Sequence, residues 1–250
     1  LGGNAPFIVF ADADLDAAVA GAAWARLLNA GQVCTSAKRI YVEESIAAEF
    51  IDRLLDHVRG LVVGDPMDPA TDVGPLISAE ALATVERQMK EAVAQGATLA
   101  LGGRRLRPGG LPGHFLEPAV LTGVPHGSLP TTEEIFGPVL SVTVARDADE
   151  AIALANDSKY GLGASIFTGS LATAMRAMEN IKAGTFWVND PLTDNDAGPF
   201  GGMRWSGIGR ELGEEGLDAF REPKHVHLDY VMERKFYWYP YRDRPIPPAH

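Results

Sequence analysis

Short apolar runs alternate with helix-like segments along most of this 250-residue chain. Runs rich in β-branched and aromatic residues predict strands at 39–43, 116–121, 139–144, 164–168 and 185–189. Helical spacing of apolar residues, or high helix propensity, predicts helices at 15–28, 45–58, 78–96, 149–155 and 171–181. Alternating strands and helices favour an α/β fold, in which a largely parallel sheet is covered by helices on both faces.

Local signals define several boundaries of these elements. Asp14 or Asp16 is expected to cap the first helix, because a carboxylate before a helix accepts from its free amides. Residues 102–113 are rich in glycine, proline and arginine and are predicted to form an exposed loop. Residues 224–230 alternate in strand fashion and precede an aromatic tail at 235–241. An exposed edge strand invites pairing, and we expect the tail to fold back or pack on a partner.

Composition excludes several classes of protein. The formal net charge of −11 argues against a general nucleic-acid surface, which would be basic. No apolar run approaches the roughly 20 residues that a membrane span requires. The start of the chain has no signal-like segment, and a single cysteine fits a reducing compartment. The simplest interpretation is a cytoplasmic enzyme with no membrane and no nucleic-acid partner.

Cys34 is the single cysteine, so it cannot form an internal disulfide. It is therefore either a small buried hydrophobe or a reactive group, and thiols are the strongest nucleophiles available near neutral pH. A cysteine–histidine hydrolase would need a histidine beside Cys34, which no sequence signal indicates. His225 and His227 alternate on the predicted strand without further ligands, and no metal site is predicted.

Five stretches of the chain resemble the aldehyde dehydrogenases. Residues 29–35 (Asn-Ala-Gly-Gln-Val-Cys-Thr) resemble the family's nucleophile signature, and residues 133–139 (Glu-Glu-Ile-Phe-Gly-Pro-Val) its cofactor-contact motif. The other similar stretches, in the family's order, are 1–16, 156–162 and 199–202 with 206–207. Five motifs in sequence are far more specific than one, and the chain is identified as a member of this family.

The resemblance implies oxidation of an aldehyde to a carboxylic acid with NAD or NADP, through a thiohemiacetal and a thioester on Cys34. Glu134 and Phe136 would then contact the nicotinamide ribose and ring. Phe200 would line the aldehyde tunnel, and Asn189 would brace the loop near the nucleophile. From the residues alone, Glu134 could instead be a solvated carboxylate before a strand, and Phe200 a core aromatic.

Two segments depart from the family pattern. Relatives place an aromatic residue about where Asp194 stands. Asp194 and Asp196 would together place two carboxylates near a substrate entrance and favour a cationic aldehyde. The alternative is that these residues form a solvated loop. Residues 76–81 lack the glutamine and lysine with which some relatives touch the cofactor, so contact there is doubtful. The glycine-rich stretch 207–213 is one residue too long for a dinucleotide fingerprint.

The resemblance also implies a division of the chain. Residues 1–205 would be the catalytic domain, 206–223 a connecting helix, and 224–250 an oligomerisation strand and tail of a homodimer or homotetramer. In the family, the general-base glutamate precedes the opening Leu-Gly-Gly and the cofactor fold lies before it. We therefore expect a carboxyl-terminal catalytic half whose partner is the missing amino-terminal half. The alternatives are a half that folds and self-associates without turnover, and a cysteine-dependent esterase.

Overall fold

The computed structural model describes residues 2–243, which contain a seven-stranded sheet in the order β3-β6-β7-β2-β1-β8-β9. The strands are β1 (Ala5–Val9), β2 (Ala37–Glu43), β3 (Thr98–Leu101), β6 (Ala119–Thr122), β7 (Val139–Ala145), β8 (Gly163–Phe167) and β9 (Thr185–Val188). Among the described residues, each neighbouring pair in this sheet is parallel except β3 with β6. The predicted α/β fold with a largely parallel sheet is confirmed.

Seven α-helices lie within the same described range. They are α1 (Leu15–Leu27), α2 (Glu44–Arg59), α3 (Ala79–Ala94), α4 (Leu129–Thr132), α5 (Ala148–Asn156), α6 (Leu171–Asn180) and α7 (Gly213–Asp218). Asp14 caps α1 by accepting from the Ala17 amide at 3.0 Å, so it is the first of the two candidate caps that acts. Ser78 caps α3 in the same way at Ala81. No helix among residues 2–243 is long and apolar enough to cross a membrane.

Helices cover both faces of the sheet, and β1 shows how. Phe7 and Val9 pack in one buried cluster with residues of α1, α2 and α3. Ile8 and Phe10 point to the opposite face and pack with residues of α5 and α6. All five residues of β1 are buried, so its sequence lacks the polar–apolar alternation of a half-exposed strand. This is why β1 is absent from the predicted strands.

Two predictions around residues 102–121 are only partly correct. The predicted strand at 116–121 is two strands, β5 (Phe115–Leu116) and β6, separated by Pro118, which has no amide hydrogen for a ladder. The predicted loop at 102–113 contains a short strand, β4 (Arg105–Leu106), which pairs antiparallel with β5. A two-residue strand is fixed by its partner and carries too little pattern to be recognised in sequence.

The strand predicted at 224–230 is also absent. These residues have no regular secondary structure, and Val226 and Leu228 are exposed. A strand is stabilised by a neighbour's hydrogen bonds, and no segment among residues 2–243 lies alongside this one to supply them. The helix expected within 206–223 is limited to α7. The aromatic side chains at 236–241 are exposed as well, and residues 244–250 of the predicted tail lie outside the described residues.

Arg26, in the last turn of α1, is completely buried and ties three segments together. Its guanidinium donates to Val139 O at 2.6 Å, Ile135 O at 2.7 Å, Ser36 Oγ at 2.9 Å and Gly31 O at 3.1 Å. Burial lowers the pKa of Arg26 to about 9, while the nearby Glu134 carboxylate acts in the opposite direction. The side chain remains charged at neutral pH and joins α1 to the approaches of β2 and β7.

Replacing Arg26 with methionine should destabilise the protein strongly. The apolar side chain leaves four buried acceptors without donors, and we expect the free energy of unfolding to fall by about 3–5 kcal/mol. Urea denaturation measures this loss. The matched control, Arg59→Met, removes an exposed arginine from the end of α2 and should change the stability by about 0.5 kcal/mol or less. Equal effects of the two substitutions would contradict the role of Arg26.

Candidate active site

Cys34 lies in the segment between α1 and β2, three residues before the strand begins. A short 3-10 turn, Leu28–Gly31, precedes it, and Gly31 has a φ of 75°. A Cβ on Gly31 would stand 2.2 Å from the Gly137 carbonyl oxygen, so glycine is required at this close approach. Cys34 itself is partly exposed, which argues against a purely buried hydrophobe.

The starts of several parallel strands meet at the amino edge of the sheet. Residue Ala5 of β1 pairs with Ala37 of β2, so the segments entering these strands are neighbours. Cys34 enters β2, and Glu134 and Phe136 enter β7, which pairs with β2 in parallel. The fold therefore brings the predicted nucleophile and both predicted cofactor residues to one edge, from positions about 100 residues apart.

Gly3, in the segment entering β1, packs on the backbone of the nucleophile. A Cβ at Gly3 would lie 2.7 Å from the Cys34 carbonyl oxygen and 3.1 Å from Leu162 Cβ. The next residue, Asn4, is buried and donates through Nδ2 to Pro130 O and Glu133 O. The opening segment thus contacts the nucleophile on one side and the approach to Glu134 on the other.

Lys38 joins the nucleophile segment to Glu134. Its Nζ donates to the carbonyl oxygens of Val33 and Cys34, each at 2.8 Å, and forms an ion pair with Glu134 Oε1 at 3.1 Å. Burial, together with the neighbouring Arg26, lowers the pKa of Lys38 to about 8 against the opposing effect of Glu134. Sequence reasoning missed this residue. The sequence signal that could have indicated it is the adjacent pair Lys38 and Arg39 at the start of β2, which lies in the centre of the sheet.

Glu134 and Phe136 line an open cleft of about 320 Å³ against α3. Glu134 keeps about a fifth of its side chain exposed while paired with Lys38, so it is not simply a solvated carboxylate. The Phe136 ring is 42% exposed. Residues 76–81, where contact was doubtful, also line the cleft through Ile77, Ser78, Glu80 and Ala81. A carboxylate acceptor beside an exposed ring suits a ligand that carries hydroxyl groups and a flat ring.

Phe200 lies in a segment that returns to the amino edge. Its backbone amide and carbonyl both pair with Glu211, each at 2.7 Å. The neighbouring Gly201 carbonyl oxygen would be 1.6 Å from a Cβ on Gly184, which directly precedes β9. Phe200 is partly exposed, which argues against a core aromatic. Its contact with an aldehyde stays a prediction.

Asn189 lies at the opposite edge from Cys34. It follows the last residue of β9, and its side chain pairs with the backbone of Thr168, which follows β8, through two hydrogen bonds of 2.9 Å. Cys34 precedes its strand and Asn189 follows one, and in a parallel sheet these positions are at opposite ends. The expected bracing of the nucleophile's loop is therefore corrected to bracing of the carboxyl edge.

The loop that carries Asp194 and Asp196 is exposed. It is attached to β9 through the Trp187 indole, whose Nε1 donates to the Thr193 carbonyl at 2.7 Å. Within residues 2–243, neither carboxylate forms an ion pair. Both remain available to a charged molecule approaching from solvent.

The site combines a partly exposed Cys34 with a cleft lined by Glu134 and Phe136 at the same edge of the sheet. Residues 1–226 match the sequence profile described as "Aldehyde dehydrogenase family". The chain belongs to the aldehyde dehydrogenase family.

Named relatives and solved structures agree with this assignment. The chain is 44% identical over 226 residues to a probable succinate-semialdehyde dehydrogenase [NADP(+)] of Sinorhizobium fredii, covering 90% of this chain and 45% of that one. It is 44% identical over 230 residues to a betaine aldehyde dehydrogenase of Brucella melitensis, covering 92% and 47%. A structure of betaine aldehyde dehydrogenase from Staphylococcus aureus in complex with NAD+ superposes with a TM-score of 0.91 at 39% identity, covering 96% and 49%.

The chain spans about half the length of the curated relatives it matches. These matches do not support the predicted assignment of the chain to the carboxyl-terminal half of a longer protein. The division into domains at residues 205 and 223 also stays a prediction.

Substituting Gly3 with alanine tests the packing of the opening segment on the nucleophile. The added Cβ would overlap the Cys34 carbonyl, and we expect the free energy of unfolding to fall by about 1–3 kcal/mol. Gly60→Ala is the matched control, because a Cβ there meets nothing closer than 3.4 Å and φ is −75°. Urea denaturation of both variants makes the comparison. A neutral Gly3→Ala substitution would show that this contact is not close.

Proposed function

We propose that Cys34 is the nucleophile of an NAD- or NADP-dependent oxidation of an aldehyde to a carboxylic acid. The observation that carries the proposal is the partly exposed Cys34 thiol at the same sheet edge as the Glu134–Phe136 cleft. Membership of the aldehyde dehydrogenase family supports it, as do relatives named for betaine aldehyde and succinate semialdehyde. The single thiol also favours a reducing compartment such as the cytoplasm.

The chemistry begins with the thiolate of Cys34. Its sulfur attacks the aldehyde carbon, the carbonyl electron pair moves to oxygen, and a tetrahedral thiohemiacetal forms. An oxyanion of this kind needs donors already in place. Within residues 2–243 the Cys34 amide donates to no acceptor, so it is free to donate to that oxygen. Covalent attack divides one difficult oxidation into two easier steps.

Glu134 and Phe136 fit the nicotinamide end of the cofactor. The Glu134 carboxylate would accept the ribose hydroxyls, and the exposed Phe136 ring would pack against the nicotinamide. When bound there, the nicotinamide supplies the hydride acceptor. Cys34 would then carry a thioester, which water hydrolyses to release the acid and regenerate the thiol.

Exposed apolar residues near the carboxyl terminus support a homo-oligomer. Val226, Leu228 and Tyr230 are 61%, 72% and 93% exposed in the single chain, and their backbone is unpaired with any strand in residues 2–243. Pairing with a second copy would cover these side chains and satisfy the free backbone groups. The oligomerisation strand predicted at 224–230 would then form only in the assembly.

Cys34→Ala should abolish NAD(P)-linked aldehyde oxidation by the purified protein, because no other thiol can form the thioester. The measurement is the absorbance of NADH or NADPH formed from betaine aldehyde and from succinate semialdehyde. The alternative, a folded and self-associating chain without turnover, predicts no signal from wild type although iodoacetamide still labels Cys34. Turnover that persists in Cys34→Ala would contradict the proposed nucleophile.

The acidic loop should favour a cationic aldehyde. Asp194→Asn with Asp196→Asn is expected to raise the KM for betaine aldehyde about 3- to 10-fold and to leave that for succinate semialdehyde unchanged or lower. Asp52→Asn with Asp56→Asn, on the exposed side of α2, removes the same charge elsewhere and should alter neither KM. If the two double variants behave alike, the loop is only a solvated surface.

A further inference from the structure

Lys38 holds the backbone on both sides of Cys34. The side chain is 1% exposed, and its ammonium donates to Val33 O and Cys34 O at 2.8 Å each. These are the carbonyls of two successive peptide groups. A buried lysine is costly unless its charge is paired and its donors are satisfied, and Lys38 meets both conditions at this position.

Because a peptide group is planar, a hydrogen bond that fixes its carbonyl also fixes the direction of its amide. The peptide between Val33 and Cys34 is trans, so the Val33 carbonyl and the Cys34 amide point in opposite directions. The Val33 carbonyl accepts from Lys38 at 2.8 Å and from the Ser36 amide at 3.3 Å, so the Cys34 amide points away from Lys38. The Cys34 carbonyl is held in the same way, so the Thr35 amide also points away. Neither amide donates to an acceptor within residues 2–243.

The ammonium also fixes the carboxylate of the cleft. Glu134 Oε1 is buried and forms an ion pair with Lys38 Nζ at 3.1 Å. Arg26 lies behind the same pair and secures the segments on either side through Gly31 and Ile135. One buried cation is therefore the common anchor of the nucleophile's backbone and of the carboxylate in the cleft.

We propose that Lys38 is a positioning residue that aims the Cys34 amide at the oxygen of the reacting carbonyl. This inference rests on the proposed function of Cys34 and adds a residue to it. The ammonium holds both carbonyl oxygens, which carry partial negative charge, on the side away from the substrate. The donors that a developing oxyanion needs are thereby fixed before the reaction begins.

Two reactions of the same thiol separate this role from a general structural one. p-Nitrophenyl acetate acylates Cys34: sulfur attacks the ester carbon, an oxyanion forms, and p-nitrophenolate leaves as the acetyl thioester remains. Iodoacetamide alkylates the same sulfur by displacing iodide from a saturated carbon, so no oxyanion forms. Misdirecting the amide should slow the first reaction and spare the second.

The variants are Lys38→Met, which keeps length without donors, and Lys38→Gln, whose shorter amide reaches the carbonyls incompletely. We expect acylation to fall about 10- to 100-fold in Lys38→Met and less in Lys38→Gln. Alkylation forms no oxyanion and should change by no more than about 3-fold in both, a change caused by the loss of the Lys38 charge near Cys34. Lys90→Met, which removes an exposed lysine from α3, is the control and should leave both rates unchanged.

Each of the following results would contradict the proposed role of Lys38. Equal losses in acylation and alkylation would indicate disruption of the loop or a general loss of thiol reactivity, and not a misdirected amide. If Lys38→Met does not fold, Lys38→Gln alone decides, since undiminished acylation contradicts the inference. A wild-type protein that is alkylated but not acylated would overturn the proposed function together with it.

Discussion

The candidate site depends on two buried cations set against one partly exposed carboxylate. Arg26 joins the end of α1 to the approaches of β2 and β7, and Lys38 joins the Cys34 backbone to Glu134. Removing either cation would leave backbone carbonyls unsatisfied in the interior, which is costly. Their hydrogen bonds therefore fix the relative positions of loops that share no sequence proximity. The thiol and the cleft are neighbours because these two side chains hold them together.

The parallel sheet explains which residues meet. Cys34, the cleft residues and Gly3 all lie where strands begin, whereas Asn189 lies where a strand ends. Parallel strands gather their starts at one edge, so residues far apart in sequence converge there. The same rule separates Asn189 from Cys34, although a linear arrangement of motifs gives no indication of it. The direction of the strands therefore decides which residues lie at the edge that carries Cys34.

The errors made from sequence share one physical cause. The strand predicted at 224–230 has a strand-like pattern but no partner among residues 2–243, and β4 has a partner but almost no pattern. β1 is buried on both faces and so lacks alternation. In each case the structure depends on what lies next to the segment, which local periodicity does not encode.

The sequence by itself determined the family, the α/β class, the candidate nucleophile and most helix boundaries, because motifs, helical spacing and caps are local properties. Asp14 and Ser78 begin their helices through hydrogen bonds to amides three residues away. Only the tertiary structure decided that Lys38 and Arg26 are buried beneath the site, and that Glu134 is paired rather than solvated. Charged residues in sequence are expected at the surface, and only packing shows which of them have buried partners.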